Sequence, residues 1–240
     1  MKSKMIPGLL LAVYLVLTSC EKNTIRASGQ VTSREFSFTN YDGLEVGGAF
    51  EVFVRFSETE ERIEIETNSN LQDRLIVRVD ETTLKIRPKD NLQVKGNPTF
   101  RAYITTSNLL NFNLSGATTL ALEDEWITDI GNIRMSGASN FTGGLMAKEL
   151  EVQASGASDL DLFGSANSLN ARLSGSSTVK NYDLSINDLI IDLSGSSDAF
   201  LTVNETIDIK ASGASTLNYK GSPKSIIQDL TGTSELNNRN

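Results

Sequence analysis

The rhythm of apolar and polar residues changes near residue 110. Between residues 36 and 105 the two classes alternate at period two. Phe50–Phe56, Arg62–Glu66, Leu75–Val79, Thr83–Arg87 and Phe100–Ile104 are five such runs. Successive side chains of a strand point to opposite faces, so this alternation predicts half-buried strands rather than helices. Asp80-Glu81-Thr82 separates two of the runs as a turn would, and the short connections predict antiparallel hairpins.

Beyond residue 110 a five-residue motif recurs seven times, centred on Gly116, Gly137, Gly156, Gly175, Gly195, Gly213 and Gly232, at spacings of 21, 19, 19, 20, 18 and 19 residues. Leu114-Ser115-Gly116-Ala117-Thr118 and Leu173-Ser174-Gly175-Ser176-Ser177 are examples. Val46-Gly47-Gly48-Ala49-Phe50 resembles an earlier, divergent copy. Registered on the glycine, apolar columns emerge. Four residues before it stand Phe112, Ile133, Val152, Ala171, Ile191 and Ile209. Six before it stand Leu110, Leu150, Leu169, Leu189, Ile207 and Ile226. Four after it stand Leu120, Phe141, Leu160, Val179, Ala199, Leu217 and Leu236. Polar residues lie between them, among them Asn113, Arg134, Gln153, Arg172, Asp192 and Lys210. Each copy is therefore expected to be strand, sharp corner, strand, with one face buried.

A period near 19 excludes propeller blades, which need ~40 residues. Leucine-rich repeats overlap the period, but their Asn/Cys position and irregular return leg are missing. The expectation is an all-β chain: a right-handed, single-stranded parallel β-helix of about seven rungs with an N-terminal strand and hairpin region. At the parallel strand spacing the stack would be on the order of 30 Å long, and right-handedness follows from the strong bias of parallel crossovers.

Glycine and serine together suggest nucleophiles or phosphate loops, but neither pattern is met. A nucleophile elbow needs Gly-x-Ser-x-Gly and a histidine partner, and the chain has 0 histidines. A phosphate loop needs Gly-x-x-x-x-Gly-Lys-Ser/Thr. The structural account is simpler: glycine takes the corner without strain, and stacked Ser/Thr hydroxyls hydrogen-bond along the ladder.

One column varies more. Three residues after each glycine come Thr119, Asn140, Asp159, Thr178, Asp198, Thr216 and Glu235. Asp159 and Asp198 would sit two rungs apart, roughly 10 Å, with Thr178 between them. Acidic pairs on such a surface can hold calcium or flank a water in an inverting glycosidase. The plainer account is a solvated stripe. Likewise Glu123-Asp124-Glu125 before Trp126 is either a ligand-contact loop or an acidic loop whose aromatic side chain folds back on the coil.

The N-terminus carries a different signal. Lys2 and Lys4 precede an apolar run, Ile6 to Leu17, too short for a membrane-spanning helix of ~20 residues but suited to a secretory signal. It ends Leu17-Thr18-Ser19-Cys20, the form of a bacterial lipobox, and Cys20 is the one cysteine in 240 residues. The expected organisation is a signal peptide over 1–19, lipidated Cys20 and a polar tether over 20–35, the repeat domain over 36–236 and a polar tail over 237–240. Lipidation would place the protein in the cell envelope, most naturally at the outer membrane. Cleavage removes Lys2 and Lys4 but no acidic residue, leaving 20 basic and 30 acidic side chains, net −10. That balance argues against nucleic acid as a partner.

Together these features resemble the head GIN domain family of auto-transporter adhesins. The likeness begins at Phe38-Thr39-Asn40-Tyr41-Asp42-Gly43-Leu44-Glu45-Val46, runs through Gly48–Val54, and continues in the Ser-Gly-Ala/Ser-Ser/Thr repeats to Leu236, about 200 residues. It implies a β-helical envelope module and supplies no catalytic residues. An autotransporter carries its own membrane barrel, and no such segment follows Asn240 in this sequence. The expected function is a non-enzymatic, adhesin-like surface module binding a glycan or an envelope protein, without a cofactor. The alternatives are a polysaccharide-processing enzyme using the acidic stripe, or a structural scaffold, with self-association open to any of them.

Overall fold

The computed structural model of the chain describes residues 23–240; residues 1–22, and with them Cys20, lie outside it. The first part forms β1 (Asn23–Arg26), β2 (Val31–Phe36), β3 (Gly43–Gly48), β4 (Glu51–Phe56), β5 (Arg62–Asn68), β6 (Leu75–Asp80), β7 (Thr83–Pro88), β8 (Leu92–Lys95) and β9 (Phe100–Thr106). β10 (Asn111–Gly116) and β11 (Thr119–Leu122) open the repeats. Among the described residues the only helix is a single 3-10 turn, Gln72–Arg74.

From β3 onward the chain winds as a parallel β-solenoid of about seven turns. The leg before each glycine stacks in register: Leu44, Phe112, Ile133, Val152, Ala171, Ile191 and Ile209 are successive partners. The leg after it stacks likewise through Val52, Leu120, Phe141 and Leu160. Val179, Ala199, Leu217 and Leu236 continue that column. The divergent copy at Gly48 is a true corner. It pairs with Gly116 and has φ +105°. The predicted columns are thus the core, and nearly all are closed to solvent.

The corners show why glycine recurs. Gly175 has φ +78°, and a Cβ there would lie 2.5 Å from the carbonyl oxygen of Gly156 in the turn below. Two residues later the hydroxyls of Thr118, Ser139, Ser158, Ser177, Ser197 and Ser215 turn inward at 0 % exposure. Each donates to the carbonyl three residues back, at 2.9–3.0 Å. The expected ladder of hydroxyl bonds along the stack is therefore formed in part, by other hydroxyls. The inward hydroxyls close their own corner, because a buried donor must find an acceptor and that carbonyl is within reach. Cross-turn bonds come mainly from the residues just before the glycine, as in Ser155 Oγ donating to the Met135 carbonyl at 3.3 Å, and at the last corner also from Thr233 and Ser234.

Trp126 resolves as a core residue, 1 % exposed. The six-before column lacks a side chain at Gly131, and the indole occupies that space: a Cβ on Gly131 would lie 2.5 Å from its Cη2. The ring packs edge-on to Phe112 at 4.9 Å, and its Nε1 donates to the Leu109 carbonyl at 2.7 Å. The acidic loop before it is tied down too. Asp124 accepts from the Phe56 amide at 3.1 Å, and Glu123 pairs with Arg55 at 3.2 Å.

The N-terminal strands cover one end of the solenoid. β7 pairs parallel with β3 and β9 parallel with β4. β6 pairs antiparallel with β7, β5 with β9, and β2 with β5. Of the expected hairpins only β6–β7 joins neighbours in sequence; β9 inserts between β4 and β5. The tether expected over 20–35 is also corrected, since β1 pairs with β8 and β2 with β5. At the opposite end, Ser225–Leu230 and Glu235–Asn238 each pair on one side only among the described residues. The residues expected as a polar tail take part there: Asn240 donates to the Gly221 carbonyl at 2.7 Å and accepts from its amide at 2.8 Å.

Candidate functional site

Two long outward faces flank the glycine corners, one on each adjoining leg. On the leg after the glycine, the expected stripe is formed: Asp159 pairs with Thr178, and Thr178 with Asp198. The three side chains are half-buried rather than fully exposed. Asp159 is also engaged. The Lys180 ammonium sits 2.7 Å from its Oδ2, one diagonal step along the sheet. Asp198 lies two strand spacings, roughly 10 Å, from it. Two strand spacings are too long for the two carboxylates to share a proton. Among the described residues, no three Cys, Asp or Glu side chains gather as a metal cage.

The leg before the glycine carries a more developed surface. Three residues before the corners stand Asn113, Arg134, Gln153, Arg172, Asp192, Lys210 and Asp229, in register from turn to turn. One residue before the corners stand Ser115, Ser136, Ser155, Ser174, Ser194, Ser212 and Thr231. The two columns wall a trough. One cleft of about 490 Å³ spans Arg172 to Thr231, and a second of about 240 Å³ spans Asn113 to Ser174. They share Arg172 and Ser174, so the depression continues along the stack.

The trough has a periodic charge. Arg134, Arg172 and Lys210 occur on every second turn, a repeat of roughly 10 Å. Gln153 and Asp192 alternate with them, and Arg172 lies 3.6 Å from Asp192. Toward the covered end the column continues through Glu45 and Lys85. The Lys85 ammonium is held above its ordinary pKa by the Asp80 carboxylate it donates to, and next by Glu45. The sequence placed these polar residues between core positions. It did not show that they border a depression, because that depends on how the corners stand relative to the strands. The alternation of cations at every second glycine was the signal that could have pointed to it.

Comparison with known proteins agrees with this architecture. A putative adhesin from Bacteroides fragilis superposes with TM-score 0.85 at 22 % identity, over 90 % of this chain and 100 % of that one. A putative adhesin from Parabacteroides merdae gives 0.74 at 15 % identity, over 91 % and 100 % of the two chains. A putative lipid binding protein from Parabacteroides distasonis gives 0.75 at 19 %, also over 91 % and 100 %. At these identities the likeness is one of fold. No functionally curated protein matches the chain. A family model described as "Putative auto-transporter adhesin, head GIN domain" matches residues 40–223, most of the solenoid and its cap, and the chain belongs to that family.

Proposed function

We propose that this protein is an envelope-anchored lipoprotein, held by a lipidated Cys20, whose solenoid is a non-enzymatic adhesive module that grips an extended glycan along its trough. The observation that carries the reading is the trough itself: hydroxyls on one wall, and on the other Arg134, Arg172 and Lys210 at every second turn, with Gln153, Asp192 and Asp229 on the turns between and beyond them. A cation every roughly 10 Å suits a polysaccharide that carries one anionic group per disaccharide. Hydroxyl walls suit sugar hydroxyls, each a donor and an acceptor. Many weak, regularly spaced contacts are the expected design for a polymer, since linked sites gain avidity without any single strong one. Membership in an adhesin family supports a binding role, and the engagement of Asp159 by Lys180 leaves the acidic stripe poorly suited to acid–base chemistry.

A glycan array probed with the wild-type chain and with Arg172→Glu/Lys210→Glu tests this. Binding concentrated in acidic polysaccharides, lost in the double variant and weakened by salt, is the expected result. Binding unchanged by the reversal would overturn the trough as the site.

A further inference from the structure

The face after the glycine runs beyond the repeats onto the cap, and there its chemistry changes. The stripe residue Thr119 pairs with Glu51, Glu51 with Arg101, Arg101 with Glu66, and Glu66 with Ser33. The neighbouring outward row is Ala121, Phe53, Tyr103, Glu64 and Glu35. Phe53 and Tyr103 thus sit at the centre of an otherwise polar face. They are not core residues: their sequence neighbours Val52, Val54, Ala102 and Ile104 point inward at 0–1 % exposure, while Tyr103 is 37 % exposed. The two rings stack on each other, centroids 5.2 Å apart and planes 13° apart.

A cleft of about 520 Å³ opens over this pair. Its polar walls are Arg55, Arg62, Glu64, Glu66 and Glu123. These groups are held in place. Arg62 bridges Glu35 at 2.5 Å and Glu64 at 2.8 Å; Arg101 bridges Glu51 at 2.8 Å and Glu66 at 3.5 Å. Tyr103 OH donates to Glu66 at 3.3 Å. Cross-strand stacking stabilises a sheet, which accounts for the two rings being adjacent but not for an open cleft above them.

We infer that this cleft is a second, separate binding site for an uncharged pyranose. The stacked rings offer a rigid apolar ledge to the C–H face of a sugar, and the fixed carboxylates and guanidinium groups meet its hydroxyls at the rim. An apolar floor with a few convergent polar groups is the ordinary make-up of a small-ligand site. Charge selects the class. Carboxylates outnumber arginines around the ledge, with Glu35, Glu51, Glu64, Glu66 and Glu123 against Arg55, Arg62 and Arg101. A sugar carrying carboxylate or sulfate is disfavoured there, in contrast to the trough. The site does not depend on the trough being correct.

The test uses the full chain purified in detergent, titrated separately with cellotetraose, mannotetraose and an N-acetylglucosamine tetramer. Ring resonances of Phe53 and Tyr103 in the wild type should shift with at least one of the three. Phe53→Ser/Tyr103→Ser should weaken that sugar at least ten-fold, Phe53→Tyr should retain it, and Arg172→Glu/Lys210→Glu should leave it unchanged. If none of the three sugars moves the ring resonances, the inference fails whatever the variants do. It also fails if the double serine variant keeps its affinity. Loss of the acidic polysaccharide in the trough variant alone would in either case leave the proposed adhesive function standing.

Discussion

Replacing Gly175 by valine is the sharpest perturbation of the corner geometry. Its φ of +78° lies in the left-handed region, and the new Cβ would lie 2.5 Å from Gly156 O, 3.1 Å from Gly156 N and 3.3 Å from Gly156 C. These are backbone atoms of an identical corner, with φ +81° at Gly156, so they cannot swing aside as a side chain would. A left-handed L-residue costs about 1–2 kcal/mol, and forced overpacking about 1–3 kcal/mol more. The loss of glycine's freedom in the unfolded chain returns at most ~1 kcal/mol. The net destabilisation should be about 2–4 kcal/mol, a large part of a typical ~5–15 kcal/mol stability. Ser177→Ala, two residues away, removes one 3.0 Å bond to the Ser174 carbonyl at a site with 0 % exposure, worth about 1 kcal/mol. Urea denaturation followed by circular dichroism compares the two. At a slope of ~2 kcal/mol per molar, valine should lower the midpoint by about 1 M or more and alanine by roughly half that or less. Equal midpoints would refute the argument that the corner requires glycine.

Trp126→Ala should cost about 3–5 kcal/mol as a large core truncation, whereas Trp126→Phe should cost less, chiefly the Nε1 bond to Leu109; the same urea assay decides, and a mild alanine variant would contradict the indole's role in filling the space at Gly131. Cys20→Ser should abolish incorporation of an alkyne fatty acid in metabolic labelling, and undiminished label would exclude Cys20 as the lipidated residue. Asp159→Asn/Asp198→Asn should leave the unfolding free energy within about 1 kcal/mol of the wild type, since the Lys180 pair is half-exposed and such pairs are worth ~0–1 kcal/mol. The same double variant should leave glycan binding intact. Polysaccharide cleavage by the wild type that vanishes in it would make the stripe an active site.

The solenoid was legible because its two constraints are written in single residues. Each corner needs glycine, and each leg needs an apolar residue at a fixed distance from it. The stripe of Asp159, Thr178 and Asp198 followed from that register alone. The cap was harder to anticipate. β5 and β9 pair across the intervening β6–β8 segment, and such long-range pairing leaves no mark on local alternation. The rule that sequential strands pair therefore predicted hairpins where β9 inserts between β4 and β5. β1 and β2 were missed for a related reason. Their residues are mostly exposed, so their strand character rests on partners at least 27 residues away (Phe36 to Ile63), in β8 and β5. Lys180 was not linked to Asp159 because the pair is diagonal across turns. The trough and the Phe53–Tyr103 ledge are products of assembly: the first needs the shape of the corners, and the second needs β9 beside β4.

The central functional claim, a polymer gripped along the trough, is tested most directly by the length dependence of affinity. Arg134 and Lys210 are separated by four strand spacings, roughly 19 Å. Acidic oligosaccharides of increasing length, taken from the polysaccharide that binds the array best, would be titrated by calorimetry at fixed salt. The dissociation constant should fall with each added disaccharide until the chain reaches from Arg134 to Lys210, then level off, and Arg134→Ala should end the gain one disaccharide sooner. A dissociation constant independent of oligosaccharide length would contradict a trough that engages successive turns.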